Sequence, residues 1–386
     1  MTPRITQDWL TDPASQLACA VLERGGFQAY FVGGCVRNSL LGEPVADIDI
    51  STNAHPQQVI ALGEAAGLSV VPTGADHGTV TVVIKGQPFE VTTFRRDIET
   101  DGRHAIVRFA DTMIEDAARR DFTMNALYAD RDGIVIDPLG GLPDLMARRL
   151  RFIGDPDARI REDYLRILRF FRFHAWYANP NGGIDRDGLA ACADNLSGLA
   201  TLSRERIGHE MLKLLAAPDP APAVAAFAST GGLAMVVPGA STGALAVLVA
   251  IEQALGVPPA ALRRLAVMTA SDLTKALRLA KKQSRHLDLV SDQTVSAAEL
   301  AFRHGATVAI DALLVRSALA GRFPDKAEID EIEAAARQTF PLRAADLQPA
   351  LSGPLLGAEL ARLEALWINS GFTLDREALL NADRQG

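Results

Sequence analysis

The sequence predicts an α+β head followed by an all-helical remainder, and three observations carry that expectation. Over residues 1 to about 150, short β-rich segments alternate with helical ones. Beyond residue 150 strand signals nearly vanish, and Ala- and Leu-rich helical periodicity runs on, broken by Gly and Pro. The 386 residues suffice for about two to four domains with sizeable cores. We expect an α+β domain over 1–150 and helical segments over 151–215 and 216–386.

The elements follow in order. A short apolar strand, Tyr30 to Val32, ends in Gly33-Gly34; a helical stretch bearing Arg37 comes next, then a strand carrying Asp47 and Asp49. Thr79–Ile84 and Phe89–Thr93 read as a hairpin closed by Lys85-Gly86-Gln87-Pro88. Ile134-Val135-Ile136 is a further short strand before Asp137-Pro138. Past the head, 218–222 and 237–239 are the clearest breaks between helices.

Composition narrows the function. A net charge of −8 argues against a protein that coats nucleic acid indiscriminately. The positive charge is mostly Arg, concentrated between Arg95 and Arg172, and Arg offers a planar fork suited to phosphates and base edges. Three cysteines, Cys19, Cys35 and Cys192, lack metal-ligand spacing, so reduced thiols in the cytoplasm are expected. The N-terminus lacks the pattern of a secretory signal, and no apolar run is long enough to span a bilayer. No membrane or DNA partner is expected.

The chemistry concentrates in residues 31–50, FVGGCVRNSLLGEPVADIDI. Two Asp residues two apart on a strand project to the same face and repel unless a cation sits between them. Mg²⁺ takes oxygen ligands, commonly one or two carboxylates plus substrate phosphates. The Gly pair lets backbone N–H groups approach a phosphate near a helix N-terminus. Alone, Asp-x-Asp reads as a turn or strand edge, and Gly-Gly as a tight turn. Together, strand, Gly-Gly, x-x-Arg and Asp-x-Asp point to metal-dependent nucleotidyl transfer.

In that combination the chain resembles the DNA polymerase β-like nucleotidyltransferases, and within them the class II CCA-adding enzymes and bacterial poly(A) polymerases. The likeness covers roughly residues 25 to 215. It implies a polymerase β-like mixed sheet with helices as the head, then an all-α neck, body and tail. It makes Glu90 a third acidic residue, although Glu90 read by itself is equally an ordinary charged strand residue. It makes residues 95–110, otherwise a charged loop, the flexible loop that shifts addition from C to A. Asn38 stands where the family commonly has Asp.

Further motifs come in the family's order. In Ala118-Arg-Arg-Asp-Phe-Thr-Met-Asn-Ala126, Asp121 and Asn125 are four apart on an expected helix; Arg120 would hold the triphosphate, with Asp121 near the ribose. Asp137-Pro-Leu-Gly-Gly reads as a turn ending the head. In Arg161–Phe173, Asp163, Arg166, Arg169 and Arg172 repeat every three residues as one polar stripe, opposite Leu165, Ile167, Leu168, Phe170 and Phe171. By periodicity alone such a stripe is as readily a solvated face.

The family likeness gives the stripe a physical logic. Cytosine and adenine share an exocyclic amino donor beside a ring-nitrogen acceptor. Asp163 accepts from the first and Arg166 donates to the second, while uracil and guanine mismatch both. Arg169 and Arg172 would lie near the phosphates or support the readers. Ser203 reads as an N-cap, and Glu205, Arg206 or Glu210 would brace the reading helix. Arg278, Lys281, Lys282 and Arg285 fall at helical spacing, either as a solvated face or as a contact to tRNA.

The expected function is a CCA-adding tRNA nucleotidyltransferase acting on the tRNA 3′ acceptor end with CTP and ATP. Asp47 and Asp49 would hold two Mg²⁺ ions, one activating the 3′-hydroxyl and the other orienting the triphosphate. Gly34, Arg37 and Arg120 would hold the triphosphate. The rivals are a poly(A) polymerase of the same class, a partial enzyme adding only C or only A, and an inactive tRNA-binding protein on the same scaffold.

Overall fold

The computed structural model of the chain describes residues 3–100, 105–348 and 350–382. Its strands are β1 Ala29–Val32, β2 Asp49–Thr52, β3 Ser69–Gly74, β4 Thr79–Ile84, β5 Gln87–Thr93, β6 Arg95–Thr100, β7 Ala105–Phe109, β8 Tyr128–Ala129 and β9 Val135–Ile136. Seven of them form one mixed sheet in the order β3-β4-β5-β2-β1-β8-β9. β2 and β5 run parallel; the other neighbours are antiparallel. β6 and β7 make a separate antiparallel ribbon.

Period-two alternation gives this sheet two unlike faces. Phe31, Ile50, Val91 and Val80 stand in register across four strands, and none is more than 1% exposed. The helices Pro13–Arg24 and Pro56–Ala65 pack on the sheet. The residues between them in sequence, Tyr30, Ser51, Thr92 and Thr79, form a second row on the opposite face. One step along, that polar face carries Asp49, Glu90 and Thr81. The apolar row builds the core and the polar row builds the site.

Several elements differ from the sequence expectation. β2 starts at Asp49, because pairing begins there with Glu90 and at Ile50 with Phe31; Asp47 precedes the strand. The hairpin turn is two residues, Lys85-Gly86, both at positive φ, so Gln87 and Pro88 belong to β5. Pro88 is tolerated because β2 joins β5 only from Glu90 onward. Residues 95–100 and 105–109 form a β-ribbon rather than an irregular loop, since successive residues of β6 and β7 pair antiparallel from Arg95↔Phe109 to Thr100↔Ala105, with one irregularity between Asp97 and Glu99. The tip of that expected flexible loop, residues 101–104, lies outside the described residues.

The chain divides into two compact units, residues 1–210 with 226–236, and residues 211–225 with 237–386. In the first, the helix Leu165–Tyr177 is fixed by aromatic packing: Phe170 stacks on Phe152 at 5.5 Å, and Phe122 sits 5.2 Å from Phe173. Ile167, Leu168, Phe170, Phe171 and Phe173 are its buried residues. In the second unit the described residues are helical and turn. Its centre holds a buried ionic group in which Arg263 and Arg264 pair with Glu252, and Arg263 also with Asp311. Among the described residues no helix is long and apolar enough to cross a membrane.

Candidate active site

Parallel pairing of β2 with β5 sets Glu90 directly beside Asp49 on the polar face. Burial pushes the Asp49 carboxyl up to about 6, and the charges of Glu90 and Asp47 push the same way, against Arg120. Asp47 and Glu90 are exposed. The three carboxylates therefore share one end of the sheet and feel one another. Among the described residues no three His, Cys, Asp or Glu side chains are grouped to hold a metal alone. A half-buried carboxylate facing like charges, with oxygen donors only, fits a hard cation that completes its shell from substrate phosphates.

The Gly-Gly turn faces this end from β1. Gly33 has φ 70° and ψ −115°, which only glycine adopts readily, and it precedes the helix Gly34–Leu41. A Cβ on Gly33 would stand 3.3 Å from Arg120 Nη1, so the guanidinium lies against the turn. Asp116, fully buried, holds it there. One oxygen of Asp116 accepts from Arg120 Nη2 at 3.0 Å, the Tyr128 hydroxyl at 2.8 Å and the Ser51 hydroxyl at 3.1 Å; the other accepts from Arg119 Nε at 2.9 Å. Burial raises its pKa, but Arg120, Arg119 and Tyr128 outweigh burial and hold it below the usual carboxylate range.

Arg37 is only 6% exposed. Its Nη1 donates to Asn125 Oδ1 at 2.5 Å, its Nη2 to the Tyr177 hydroxyl at 2.8 Å, and Nε and Nη2 both to Asn38 Oδ1. The guanidinium lies 4.0 Å from the Tyr177 ring centre. Burial lowers its pKa. Arg37 thus ties the Gly-Gly helix to the end of the Leu165–Tyr177 helix.

The 121–125 segment is not the expected helix: a 3-10 turn, Thr123–Asn125, follows an extended Phe122. Asn125 still reaches Asp121, at 2.9 Å. Asp121 is buried, and Arg169 Nε donates to it at 2.8 Å. Burial raises its pKa, yet Arg169 and the Asn125 bond bring it down to about 2. Gly141 of the Asp137-Pro-Leu-Gly-Gly segment packs on this turn so closely that a Cβ would meet the Thr123 carbonyl oxygen at 2.3 Å.

Asp163 lies between the helices Pro156–Glu162 and Leu165–Tyr177, not on the second, because its Oδ1 caps the Leu165 N–H at 3.0 Å. Its Oδ2 accepts from Arg206 at 2.7 Å. Arg166 donates to Glu162, to the Arg159 carbonyl and to the Arg119 carbonyl. A guanidinium has five N–H donors, so Nε–H and one Nη2–H of Arg166 stay without a partner among the described residues. Arg172 donates to Glu210 at 2.6 Å. Two residues named as braces, Arg206 and Glu210, therefore sit on the helix Arg204–Leu215 facing the stripe.

The structure brings together Asp47, Asp49, Glu90, Gly34 and Arg120 at the sheet end, and Arg37, Asp163, Arg166, Arg169 and Arg172 around the Leu165–Tyr177 helix. Lys281, Lys282 and Arg285 are exposed on the helix Lys281–Ser291 of the second unit. Arg278 precedes that helix at φ 46°, so the expected four-residue stripe loses its first member. Sequence reasoning missed Asp116 and Tyr177. Asp116 sits three and four residues before Arg119 and Arg120, an ion-pair spacing that could have revealed it. Tyr177 lies 140 residues from Arg37, beyond any local signal.

Known proteins point the same way. Residues 29–151 match the family model of the poly A polymerase head domain, and residues 183–242 match that of the probable RNA and SrmB-binding site of polymerase A. The CCA-adding enzyme of Geobacillus thermodenitrificans is 44% identical over 220 residues, which cover 56% of this chain and 52% of that protein. Mitochondrial CCA tRNA nucleotidyltransferase 1 of Homo sapiens is 43% identical over 184 residues, covering 47% of this chain and 42% of that one. The chain spans about half the length of the curated relatives it matches. The crystal structure of the Bacillus stearothermophilus CCA-adding enzyme in complex with CTP superposes with a TM-score of 0.73 and 28% identity over 98% of each chain. The Thermotoga maritima CCA-adding enzyme complexed with tRNA shares the fold, with a TM-score of 0.68 and 18% identity over 98% of this chain and 95% of that one. Residues 29–151, with an acidic pair beside a Gly-Gly turn, thus resemble a poly A polymerase head domain, and the chain as a whole is similar in fold to the CCA-adding enzymes.

Proposed function

We propose that the chain is a CCA-adding tRNA nucleotidyltransferase, extending a tRNA 3′ end with C, C and A from CTP and ATP and releasing pyrophosphate. The observation that carries this reading is the meeting of Asp49, Glu90 and Arg120 at one sheet end, within a chain whose relatives are CCA-adding enzymes. A divalent ion such as Mg²⁺ held by Asp47 and Asp49 would supply positive charge to the attacking hydroxyl and the reacting phosphate. Gly34 offers its backbone N–H to the triphosphate, and Arg120, pinned by Asp116, offers a fixed positive charge beside it. Glu90, exposed next to Asp49, is placed to accept the proton of the attacking hydroxyl or to orient the cation.

Base selection falls to Asp163 and Arg166. Arg206 and the Leu165 N–H fix the carboxylate, while Glu162 and two carbonyls fix the guanidinium. The free N–H groups of Arg166 suit a ring-nitrogen acceptor, and a lone pair of Asp163 suits an amino group. Arg37, Arg169 and Arg172 hold the reading helix to the head and neck, each through a buried partner. Lys281, Lys282 and Arg285, with Arg278 beside them, suit phosphates of the tRNA body. Such an enzyme works with its tRNA substrate in the cytoplasm.

The test is incubation of tRNA lacking its 3′ end with all four nucleoside triphosphates, followed by sequencing of the product. Addition of C, C and A and then a stop supports the proposal. Long A tails would instead select a poly(A) polymerase, and a stop after C, or addition of A alone, a partial enzyme.

A further inference from the structure

Two guanidinium groups lie against the Gly-Gly turn, and they are held in different ways. Arg120, beside Gly33, has the buried Asp116 as its counter-charge. Arg37 stands beside Gly34: a Cβ on that glycine would come within 3.9 Å of Arg37 Nη2. The side chains that accept from Arg37 are Asn38, Asn125 and Tyr177, and all of them are neutral. The carboxylate that acts on Arg37 through space, Asp121, is already paired with Arg169. Arg37 is therefore a buried cation that is hydrogen-bonded but not neutralised, and a guanidinium does not shed its proton to escape burial.

Asn38 occupies the place where a carboxylate would cancel that charge. Its Oδ1 accepts from Arg37 Nε at 3.1 Å and from Nη2 at 2.9 Å, an arrangement that carboxylates commonly make with arginine. Its Nδ2 donates to the Pro44 carbonyl at 2.7 Å, which fixes the amide with its oxygen toward the guanidinium. An aspartate of the same shape would take the same place, neutralise Arg37 and lose the Pro44 bond. Arg37 is only 6% exposed, so it acts on a ligand at Gly34 by its field rather than by contact, and that field is weakened less by protein than by water. We propose that Asn38 is a positioning residue for the nucleotide: it orients Arg37 without neutralising it, so that the guanidinium helps to draw a polyphosphate to the Gly34 N–H. The proposal rests on the reading of Gly34 and Arg120 as the triphosphate seat.

The experiment uses the full chain in EDTA without tRNA, so that no transfer occurs. Dissociation constants for CMP, CDP and CTP are read by calorimetry for wild type, Asn38→Asp and Asn38→Ala, together with thermal melts. In wild type, affinity should rise with each added phosphate. Asn38→Asp should keep or raise Tm, because Arg37 gains a counter-charge, yet weaken CTP binding by roughly tenfold, CDP less and CMP least. Asn38→Ala should do the reverse: Tm falls, because a buried guanidinium loses an acceptor, while the rise from CMP to CTP is retained. An Asn38→Asp protein that binds CTP as wild type does would overturn the proposal, as would one that loses CMP and CTP equally, the mark of a merely disturbed pocket. A wild type with no gain from CMP to CTP would overturn the seat at Gly34 and Arg120 as well. A gain that Asn38→Asp leaves intact would remove the role of Asn38 alone.

Discussion

The carboxylates at the sheet end and the guanidiniums of the neck make opposite use of charge. Asp47, Asp49 and Glu90 crowd one corner, with Arg120 the opposing charge that acts on Asp49. Along the neck helix each Arg already has a carboxylate: Arg166 on Glu162, Arg169 on Asp121 and Arg172 on Glu210. Uncompensated charge raises the energy of the folded chain and is relieved by a ligand. Compensated charge fixes side-chain geometry before any ligand arrives. The first arrangement suits chemistry on a cation and phosphates; the second suits discrimination between similar bases.

Asp116 offers the sharpest contrast with Asp49, because both are acidic and only one is fully paired. Asp116→Ala leaves the half-buried Arg119 and Arg120 without their counter-charge and their hydrogen-bond acceptor, and we expect a loss of about 2–4 kcal/mol in chemical denaturation. A larger loss, about 3–5 kcal/mol, is expected for Glu252→Ala in the second unit, where the fully buried Arg263 and Arg264 depend on it. The two should differ in activity measured well below their melting points: Asp116→Ala raises KM for CTP by displacing Arg120, and Glu252→Ala leaves it unchanged.

Asp49→Asn should move stability the other way. The folded-state pKa of about 6 lies above the usual carboxylate value of 3.8. Folding therefore favours the protonated acid, and stability falls as pH rises from about 4 to 6. In metal-free protein the Asn variant should gain about 1 kcal/mol at pH 7 and little at pH 4, read as a difference in Tm. An unchanged gap between the two pH values would remove the strain argument. Asp121 carries the reverse sign: its pKa near 2 gives stability that is present above about pH 4 and fades as pH falls toward 2. Arg169→Gln should flatten that acid limb.

Arg206→Gln has the smallest predicted effect on the fold and a selective one on function. It frees Asp163 Oδ2 while leaving the cap on Leu165. Discrimination of CTP against UTP should fall by roughly tenfold, with Tm nearly constant. Equal loss for both nucleotides would make Arg206 a tRNA contact instead of a brace.

Much of this was legible locally. A short apolar run ending in Gly33-Gly34 located β1, β-rich runs around a turn located β4 and β5, and helical periodicity with Phe170 and Phe171 located the neck helix. The pairing of Arg206 and Glu210 with the stripe followed from motif order. What escaped depends on chain-distant packing. The parallel register that seats Glu90 beside Asp49 is fixed by β2 entering between β1 and β5, which no local pattern states. Asp121 is buried, with Arg169, 48 residues later, donating to it. Asp163 leaves the helix because its own side chain is the cap. Arg278 drops out of the basic stripe because the backbone turns before Lys281.

The most direct measurement is kcat/KM for C, A, U and G addition to tRNA lacking its 3′ end, compared among wild type, Asp49→Ala and Arg166→Gln. The account predicts that Asp49→Ala lowers C and A addition alike, by about a thousandfold or more. Arg166→Gln should instead shrink the preference for C and A over U and G by about 10–100-fold. Substantial activity in Asp49→Ala, or an Arg166→Gln enzyme that slows all four nucleotides equally, would contradict it.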